Sequence, residues 1–266
     1  MLKIGFIGLG NLGTAMAQRV MSRGHEVIGF NRSRTKAAAL ADAGLKQAAT
    51  VEAVCAADIV FSVLLDDAAV KEVLVDGFPF HDNPAAIHVS VSTISVPLVR
   101  DLADLHEEQG QAFVSAPVFG RPDNIHSANA VMAVSGAPEA ITHCHDVLAY
   151  FGSVAVIGSD PGTANAVKMA GNFLMASAVQ SLREALSLAE AAGGDRQQFI
   201  DIVTSALFPT SFYERFGGLL AAQGNNAPAL NPFANSAQLI TQASRDLSVR
   251  MPLADALAST LDHSIT

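Results

Sequence analysis

The sequence has little cysteine, little charge and no long apolar run, and each shortage excludes a class of protein. Two cysteines, Cys55 and Cys144, are too few for a disulfide framework and lie in no CxxC or zinc-ligand spacing. We therefore expect reduced cysteines in a cytoplasmic protein, and no metal site. Polar or charged residues interrupt every apolar stretch before about 18 residues, so no membrane span is predicted. Glycines break the apolar N-terminus, which favours a strand and a turn over a signal peptide.

The charge balance also argues against a nucleic-acid partner. The net charge is −9, and the sequence contains no run of lysine and arginine. Half of the 266 residues are hydrophobic and 15% are charged, so the chain can bury a large core and divides into about two domains. An acidic chain can still bind an anionic ligand, because a pocket can be locally positive.

The first 160 residues alternate short β-rich runs with alanine-rich helical patterns. Strands are predicted at 3–7, 26–30, 58–63, 86–90, 112–115, 131–135 and 154–157, with a short one near Leu45. Helices are predicted at about 14–22, 36–43 and 51–56. This alternation is typical of βαβ units and indicates an α/β fold with a mainly parallel sheet.

After residue 160 the pattern becomes helical. From 163 to about 192 the chain has no proline, and apolar residues recur every three or four positions until a Gly-Gly pair. Such a helix is about 45 Å long, which is too long for a small domain to cover alone. We therefore predict an N-terminal domain over 1–160, an all-helical domain over 161–266, and a homodimer that buries the exposed flank of the long helix.

A glycine-rich turn follows the first predicted strand and opens the first helix. It reads Gly8-Leu9-Gly10-Asn11-Leu12-Gly13, the GxGxxG pattern in its required strand–turn–helix context. The first glycine permits the tight turn, the second lets a pyrophosphate approach the backbone, and the third allows close helix–strand packing. We predict a Rossmann domain that binds a dinucleotide, the alternative being a glycine turn without a ligand.

The end of the second strand bears on the choice of cofactor. NAD-preferring sites usually carry Asp or Glu here, whereas this chain has Asn31, Arg32 and Ser33. The planar guanidinium of Arg32 suits a 2′-phosphate, so NADP(H) is preferred over NAD(H). The alternative for Arg32 is a solvated loop residue.

Four motifs in order resemble the β-hydroxyacid dehydrogenases. That family includes 3-hydroxyisobutyrate dehydrogenase, tartronate semialdehyde reductase and glyoxylate/succinic semialdehyde reductases, and 6-phosphogluconate dehydrogenase is a more distant relative. The resemblance covers nearly the whole chain and is strongest over 1–220. The motifs are the N-terminal glycine turn, Ser92-Thr93-Ile94-Ser95, Ala116-Pro117-Val118 with Gly120, and Lys168-Met169-Ala170-Gly171-Asn172.

The resemblance implies that Lys168 is the catalytic acid/base. In the family, the matching lysine donates a proton to the substrate oxygen as hydride reaches the carbonyl carbon. The chemistry is sound in itself, because an ammonium can stabilise and protonate an alkoxide, and an apolar helix face lowers the pKa of a lysine. Asn172, four residues on, lies on the same helix face and would orient the substrate or Lys168. The alternative is a surface lysine that snorkels from a helix packed elsewhere.

The resemblance assigns further residues to the cleft. Ser92 and Thr93 match a pair that faces the nicotinamide and the substrate. Leu64 and Leu65 match the loop that lies along the cofactor.

Two departures from the family bear on the substrate. Phe119, followed by Gly120 and Arg121, stands where relatives have a serine that holds a carboxylate. Arg121 can bind a carboxylate bidentately, whereas Phe119 can make the pocket apolar and exclude one. The late Lys-Asp pair of the family falls on Asn235 and Ser236, so both charges are missing.

The sequence thus predicts an NADP(H)-dependent oxidoreductase that acts on a small carbonyl or hydroxy compound of the semialdehyde or 3-hydroxy acid class. Two alternatives stay open. An imine reductase on the same fold would suit the less anionic pocket, although many imine reductases have Asp or Tyr in place of Lys168. A catalytically silent dinucleotide-binding protein would suit the lost Lys-Asp pair.

Overall fold

The computed structural model describes residues 1–33, 39–80, 83–223 and 232–262, except for the side chains of 232–236 and 261–262. The chain divides into two compact units, Met1–Lys168 and Met169–Thr266. The roles predicted for 1–160 and 161–266 in binding cofactor and substrate stay predictions.

The first unit is built from alternating strands and helices. Its strands are β1 (Lys3–Ile7), β2 (Glu26–Phe30), β3 (Lys46–Gln47), β4 (Ile59–Ser62), β5 (Ile87–Ser90), β6 (Ala112–Ser115), β7 (Val118–Phe119), β8 (Ala130–Gly136) and β9 (Gly152–Gly158). Its helices are α1 (Asn11–Met21), α2 (Val51–Cys55), α3 (Asp67–Val70) with a π-helical turn at Lys71–Val75, α4 (Val96–Glu108), α5 (Pro122–His126) and α6 (Pro138–Leu148). The long helix α7 (Gly162–Ala191) begins in this unit.

The strands form one sheet in the order β3-β2-β1-β4-β5-β6-β8-β7, with β9 beside β8. The pairs from β3 to β6 are parallel, whereas β8 runs antiparallel to both β6 and β7. The predicted α/β class and mainly parallel sheet are confirmed. The order 3-2-1-4-5-6 reverses between β1 and β4, and sheets of this kind bind ligands at the carboxyl ends of the strands at that point.

The sheet is buried on both faces, as parallel sheets generally are. The consecutive residues Phe6 and Ile7 of β1 are both buried, and they belong to different apolar clusters. Phe6 stacks on Phe61 of β4 with ring centroids 5.2 Å apart, and Phe151 meets Phe61 edge-on at 5.6 Å. Each such side chain contributes about 1.5–3 kcal/mol by leaving water. This packing fixes the strand ends from which the site loops emerge.

A buried polar chain crosses one of these apolar layers. The side-chain amide of Gln111 donates to the Phe80 carbonyl at 2.5 Å, which leaves its oxygen to accept from His106 Nδ1 at 3.1 Å. His106 Nε2 then accepts from His88 Nδ1 at 2.8 Å, and His88 Nε2 accepts from the Ser62 hydroxyl at 2.8 Å. Burial lowers the pKa of His106 to about 4 and holds the pKa of His88 well below its usual range. Both imidazoles are therefore neutral at pH 7.

Helix α7 has a defined start and stop. The Gly162 N–H donates to Asp160 Oδ1 at 2.9 Å, and Asp160 also pairs with Arg100 of α4 at 2.6 Å. The helix ends before Gly193, whose φ of +85° suits a residue without Cβ. The predicted long helix is confirmed.

Two helix predictions need correction. The first helix begins at Asn11, three residues before the predicted start at 14, because the glycine turn is tight enough for the helix to follow at once. The helix predicted over 36–43 is wrong in its described part, since 39–44 form turns and 34–38 lie outside the described residues. Leu40 and Leu45 are each 4% exposed, and the chain must turn at Gly44, with φ +99°, to bury both.

The short strand β7 was not predicted, although it lies inside a predicted site motif. Val118 and Phe119 pair antiparallel with Met132 and Val131 of β8. A two-residue strand is too short to show an alternating pattern. Its pairing fixes the backbone that carries Phe119.

Helices are the only regular secondary structure in the described residues of the second unit. It contains the remainder of α7, then α8 (Arg196–Ile202), a π-helical turn (Val203–Leu207), α9 (Ser211–Gln223), α10 (Pro232–Asp246) and α11 (Pro252–Asp262). Leu182 and Leu186 of α7 pack with Ile200 and Leu220 in its core. The predicted helical C-terminal region is confirmed. Among the described residues, no helix combines the length and apolarity that crossing a membrane requires.

Candidate functional site

The glycine turn leaves backbone space where a dinucleotide needs it. Gly8 has φ +98°, and a Cβ there would overlap the Val63 carbonyl, while a Cβ at Gly13 would overlap the Gly8 carbonyl. At Gly10, by contrast, no described atom lies within 4 Å of the position of a Cβ. Gly10, the N-cap of α1, has no side chain that could cap the helix, and the first intrahelical bond runs from the Thr14 N–H to the Gly10 carbonyl. The N–H groups of Asn11, Leu12 and Gly13 are therefore available to an anion. The turn fits a pyrophosphate.

Asn31, at the end of β2, holds this turn in place. Its Oδ1 accepts the Leu9 N–H at 2.9 Å, and its Nδ2 donates to the Ser33 carbonyl at 3.1 Å. The adjacent Arg32 is exposed and leaves its guanidinium accessible to a ligand.

The loops after β4 and β5 are joined by a predicted substrate residue. The hydroxyl of Ser92, 3% exposed, accepts the Leu64 N–H at 2.8 Å. Ser92 thus positions the loop that was predicted to lie along the cofactor, and its hydroxyl proton stays available to another acceptor. Leu65 is 82% exposed and Thr93 is half-buried beside Ser92. The structure brings these four residues to the same edge of the sheet.

Lys168 lies over the face of the Phe119 ring. The distance from Nζ to the ring centroid is 4.4 Å, within the range of a cation–π contact. Lys168 is half-buried, and burial lowers its pKa to about 8. The ring acts in the opposite direction, because its negative face stabilises the ammonium. The lysine is therefore neither a freely solvated surface residue nor permanently charged.

Asn165, one turn before Lys168, was missed by the sequence reasoning. It is fully buried; its Oδ1 accepts the Ile94 N–H at 3.0 Å and its Nδ2 donates to the Ser115 hydroxyl at 2.9 Å. The only sequence signal was an amide in an otherwise apolar helical turn. Such a residue is normally buried only with partners.

The site roles of the other predicted residues stay predictions. Gly120 and Arg121 follow Phe119 and are exposed, and the Arg121 backbone N–H donates to Asn124 Oδ1 at 2.9 Å. Asn172 lies four residues after Lys168 on α7 but belongs to the second unit. The side chains of 235 and 236 lie outside the described residues. No cluster of three His, Cys, Asp or Glu that could hold a metal occurs in the described part of the chain.

Comparison with known proteins decides the family. Residues 3–158 match the NAD binding domain of 6-phosphogluconate dehydrogenase. An uncharacterized oxidoreductase of Bacillus subtilis (YfjR) is 34% identical over 99% of this chain and 94% of its own length. A probable 3-hydroxyisobutyrate dehydrogenase of Mycobacterium tuberculosis is 30% identical over 77% of this chain and 70% of its own.

The chain belongs to the β-hydroxyacid dehydrogenase family. As a β-hydroxyacid dehydrogenase it is an oxidoreductase that uses a nicotinamide dinucleotide and acts on small molecules, and the recognition made from the four motifs is confirmed. The alternative of a catalytically silent protein is not supported, because these relatives are oxidoreductases.

Solved structures agree with this β-hydroxyacid dehydrogenase fold. A Mycobacterium tuberculosis 3-hydroxyisobutyrate dehydrogenase with L-serine has a TM-score of 0.85, 26% identity, and coverage of 99% of this chain and 93% of its own. Psf3 in complex with NADP+ and 2-OPP has a TM-score of 0.82 and 25% identity, with coverage of 98% and 93%. A Streptomyces aurantiacus imine reductase has a TM-score of 0.72 and 25% identity, with coverage of 98% and 93%.

Proposed function

We propose that this protein is an NADP(H)-dependent reductase, and in reverse a dehydrogenase, of a small carbonyl or hydroxy compound, with Lys168 as its acid/base. The observation that carries the proposal is the half-buried Lys168 ammonium, which lies 4.4 Å from the centroid of the Phe119 ring and whose pKa burial lowers to about 8. A general acid works best when its pKa lies near the operating pH. Lys168 then has enough of both protonation states near neutral pH to serve reduction and oxidation.

The bound nicotinamide would supply or accept the hydride. Hydride addition leaves negative charge on the substrate oxygen, and the Lys168 ammonium would stabilise that charge and then transfer a proton to it. Phe119 would keep water from one side of the ammonium because its ring covers Nζ at 4.4 Å. Thr93 and the free proton of the Ser92 hydroxyl would orient the substrate, and Asn172 stays a predicted partner of Lys168.

The preference for NADP(H) rests on the end of β2. Asn31 holds Leu9 without bringing a negative charge, and the exposed Arg32 follows it. A carboxylate at this position would repel a 2′-phosphate, whereas a guanidinium can bind one with two donors. Psf3, a structural neighbour, carries NADP+, which agrees with the proposal.

The substrate class depends on Phe119 and Arg121. Because Phe119 replaces a serine at a position that holds a carboxylate in the family, the side chain beside Lys168 is apolar. Arg121 is exposed and could supply the carboxylate contact from the next turn of the chain. We favour a semialdehyde or 3-hydroxy acid anchored by Arg121.

A second candidate is imine reduction. The apolar ring beside Lys168 suits an uncharged cyclic imine, and an imine reductase is among the similar structures at 25% identity. Lys168 argues against imine reduction, because many imine reductases have Asp or Tyr at the matching position.

A homodimer is proposed from the long helix. Leu174 and Leu188 of α7 are 68% and 75% exposed, and association between two copies of a chain would remove such apolar side chains from water. A second copy of the chain could cover them.

NADPH oxidation by the purified protein across semialdehydes, 2-oxo acids, uncharged aldehydes and cyclic imines tests the proposal. We expect turnover of carboxylated carbonyls, and a Lys168→Ala variant with kcat at least about a hundredfold lower and unchanged NADPH affinity. Fluorescence titration with NADPH provides the control for folding and cofactor binding. Undiminished turnover in the variant would remove Lys168 from the mechanism, and turnover of imines alone would favour the second candidate.

A further inference from the structure

Asn165 connects three parts of the first unit through one side chain. It lies in the first turn of α7, three residues before Lys168, and is fully buried. Its Oδ1 accepts a hydrogen bond from the N–H of Ile94, in the segment after β5. Its Nδ2 donates a hydrogen bond to the hydroxyl of Ser115, at the end of β6. Both polar ends of the amide are therefore satisfied by groups at the carboxyl edge of the sheet.

Both partners belong to segments of the candidate site. Ile94 lies two residues after Ser92, in the segment that was predicted to face the nicotinamide. Ser115 stands four residues before Phe119, whose ring lies under the Lys168 ammonium. The two bonds of Asn165 therefore fix α7 against the backbone that presents each of these groups.

A second pair of hydrogen bonds, made by the Ser135 hydroxyl, fixes the start of the same helix. The Ser135 hydroxyl donates to the Pro161 carbonyl at 2.8 Å and accepts the Ala164 N–H at 3.1 Å. This pair sets where α7 begins along its axis. Asn165, placed one residue later and on a different side of the helix, sets its rotation.

Rotation of α7 matters because Lys168 lies close to Asn165 on the helix surface. Residues three apart are neighbours on a helix, and side chains lean towards its N-terminus, so the Lys168 side chain covers the turn that contains Asn165. An atom about 5.5 Å from the helix axis moves by about 1 Å when the helix rotates by about 10°. A displacement of about 1 Å of a catalytic group can lower the rate by about a hundredfold.

We propose that Asn165 is the positioning residue for Lys168, holding α7 in the rotation that places the ammonium over Phe119 and towards the substrate oxygen. This inference rests on the proposed function only for its effect on turnover. The placement of Lys168 over Phe119 can be measured without any substrate.

The first measurement is NMR of protein labelled with ε-13C lysine. We expect the Lys168 resonance, assigned by its loss in Lys168→Ala, to show a ring-current shift from Phe119, and a Phe119→Leu variant to remove that shift. In Asn165→Ala, the resonance should move towards its position in the Phe119→Leu variant. Ser115→Ala, which removes one of the two bonds, should give a smaller movement in the same direction and serves if Asn165→Ala does not fold.

The matched control is Asn83→Ala. Asn83 also bridges two backbone segments, donating to the carbonyls of Cys55 and Ala57 at 3.0 and 3.1 Å, but it does not contact α7 or the site loops in the described structure. We expect this variant to lose stability without moving the Lys168 resonance. If Asn165→Ala and Ser115→Ala also leave that resonance in place, the positioning role is wrong.

Turnover provides the second measurement. With the best carbonyl of the NADPH panel, Asn165→Ala should lower kcat by tenfold or more while NADPH affinity stays within about twofold. Its primary deuterium isotope effect should rise, because hydride and proton transfer become rate-limiting. A loss of active fraction alone would leave KM and the isotope effect unchanged, as expected for Asn83→Ala, and that pattern in Asn165→Ala would overturn the role. Turnover retained by Lys168→Ala would instead refute the proposed function, while the resonance still reports on Asn165.

Discussion

The contact between Lys168 and Phe119 has a measurable consequence for the pH dependence of reduction. A cation 4.4 Å from the centroid of a phenyl ring gains about 0.5 to 2 kcal/mol, depending on how far it is desolvated. Since one pKa unit corresponds to about 1.4 kcal/mol, replacing Phe119 by leucine should lower the pKa of Lys168 by about 0.4 to 1.5. Leucine keeps the site apolar, so the burial that lowers this pKa to about 8 is retained.

The direction of the effect follows from the role of the lysine. Reduction needs the protonated amine, so kcat/KM for NADPH-dependent reduction falls as the pH rises through the pKa of Lys168. Phe119→Leu should move that descending limb to lower pH. Starting from a pKa of about 8, the protonated fraction at pH 8 would fall from about one half to between about one quarter and one thirtieth.

The assay is the pH profile of kcat/KM between pH 6 and 10 with a saturating cofactor. Phe119→Tyr is the control, because it keeps the ring, and its limb should stay within about 0.3 of the wild-type position. A limb that stays in place in Phe119→Leu, or moves to higher pH, would refute the claim that the ring stabilises the ammonium.

Three further predictions concern the cofactor, the assembly and acid stability. Arg32→Asp should raise the Kd for NADPH by about tenfold or more and that for NADH by much less, as measured by fluorescence titration; equal losses would contradict the 2′-phosphate assignment. Leu188→Glu should convert the proposed dimer into a monomer in sedimentation velocity, and a wild-type monomer would show the dimer to be wrong. In the unfolded state His106 gains a proton below about pH 6.5, whereas in the folded state it stays neutral down to about pH 4. The free energy of unfolding should therefore fall by on the order of 3 kcal/mol as the pH is lowered over that range. His106→Gln should be less stable at pH 7 but flatter towards pH 4 in urea unfolding, and parallel curves would contradict this linkage.

Features that depend on local chemistry were predictable from the sequence. The buried strands appear as short apolar runs, and β1 and β2 have the bounds read from those runs. The glycine turn was recognisable because each of its three glycines is needed for a different steric reason. The structure shows two of these reasons, since a Cβ at Gly8 or at Gly13 would overlap a backbone carbonyl. The long helix followed from an uninterrupted apolar repeat. In each case the cause lies within a few residues of the effect.

Features that depend on distant partners were not predictable. Asn165 bonds to groups 71 and 50 residues away in the sequence, and its apolar neighbours could indicate burial but not identify those partners. Ser92 was assigned to the substrate, but the structure also shows its bond to Leu64, 28 residues earlier. The meeting of Phe119 and Lys168 likewise depends on the pairing of β7 with β8. The resemblance to a family predicted which residues form the site, but it gave no account of what holds them.

Three loops at the carboxyl edge of the sheet are held by the same kind of hydrogen bond, from a backbone N–H to a side chain of another segment. The backbone N–H of Leu9, of Leu64 and of Ile94 is each bound by a side chain from another segment, at 2.9, 2.8 and 3.0 Å. Each loop is therefore held by a bond from the protein itself, so part of the conformational entropy of ordering it is lost during folding instead of during binding. We therefore expect the dinucleotide to bind without a large rearrangement of these loops, so that conformational change does not limit the association rate constant.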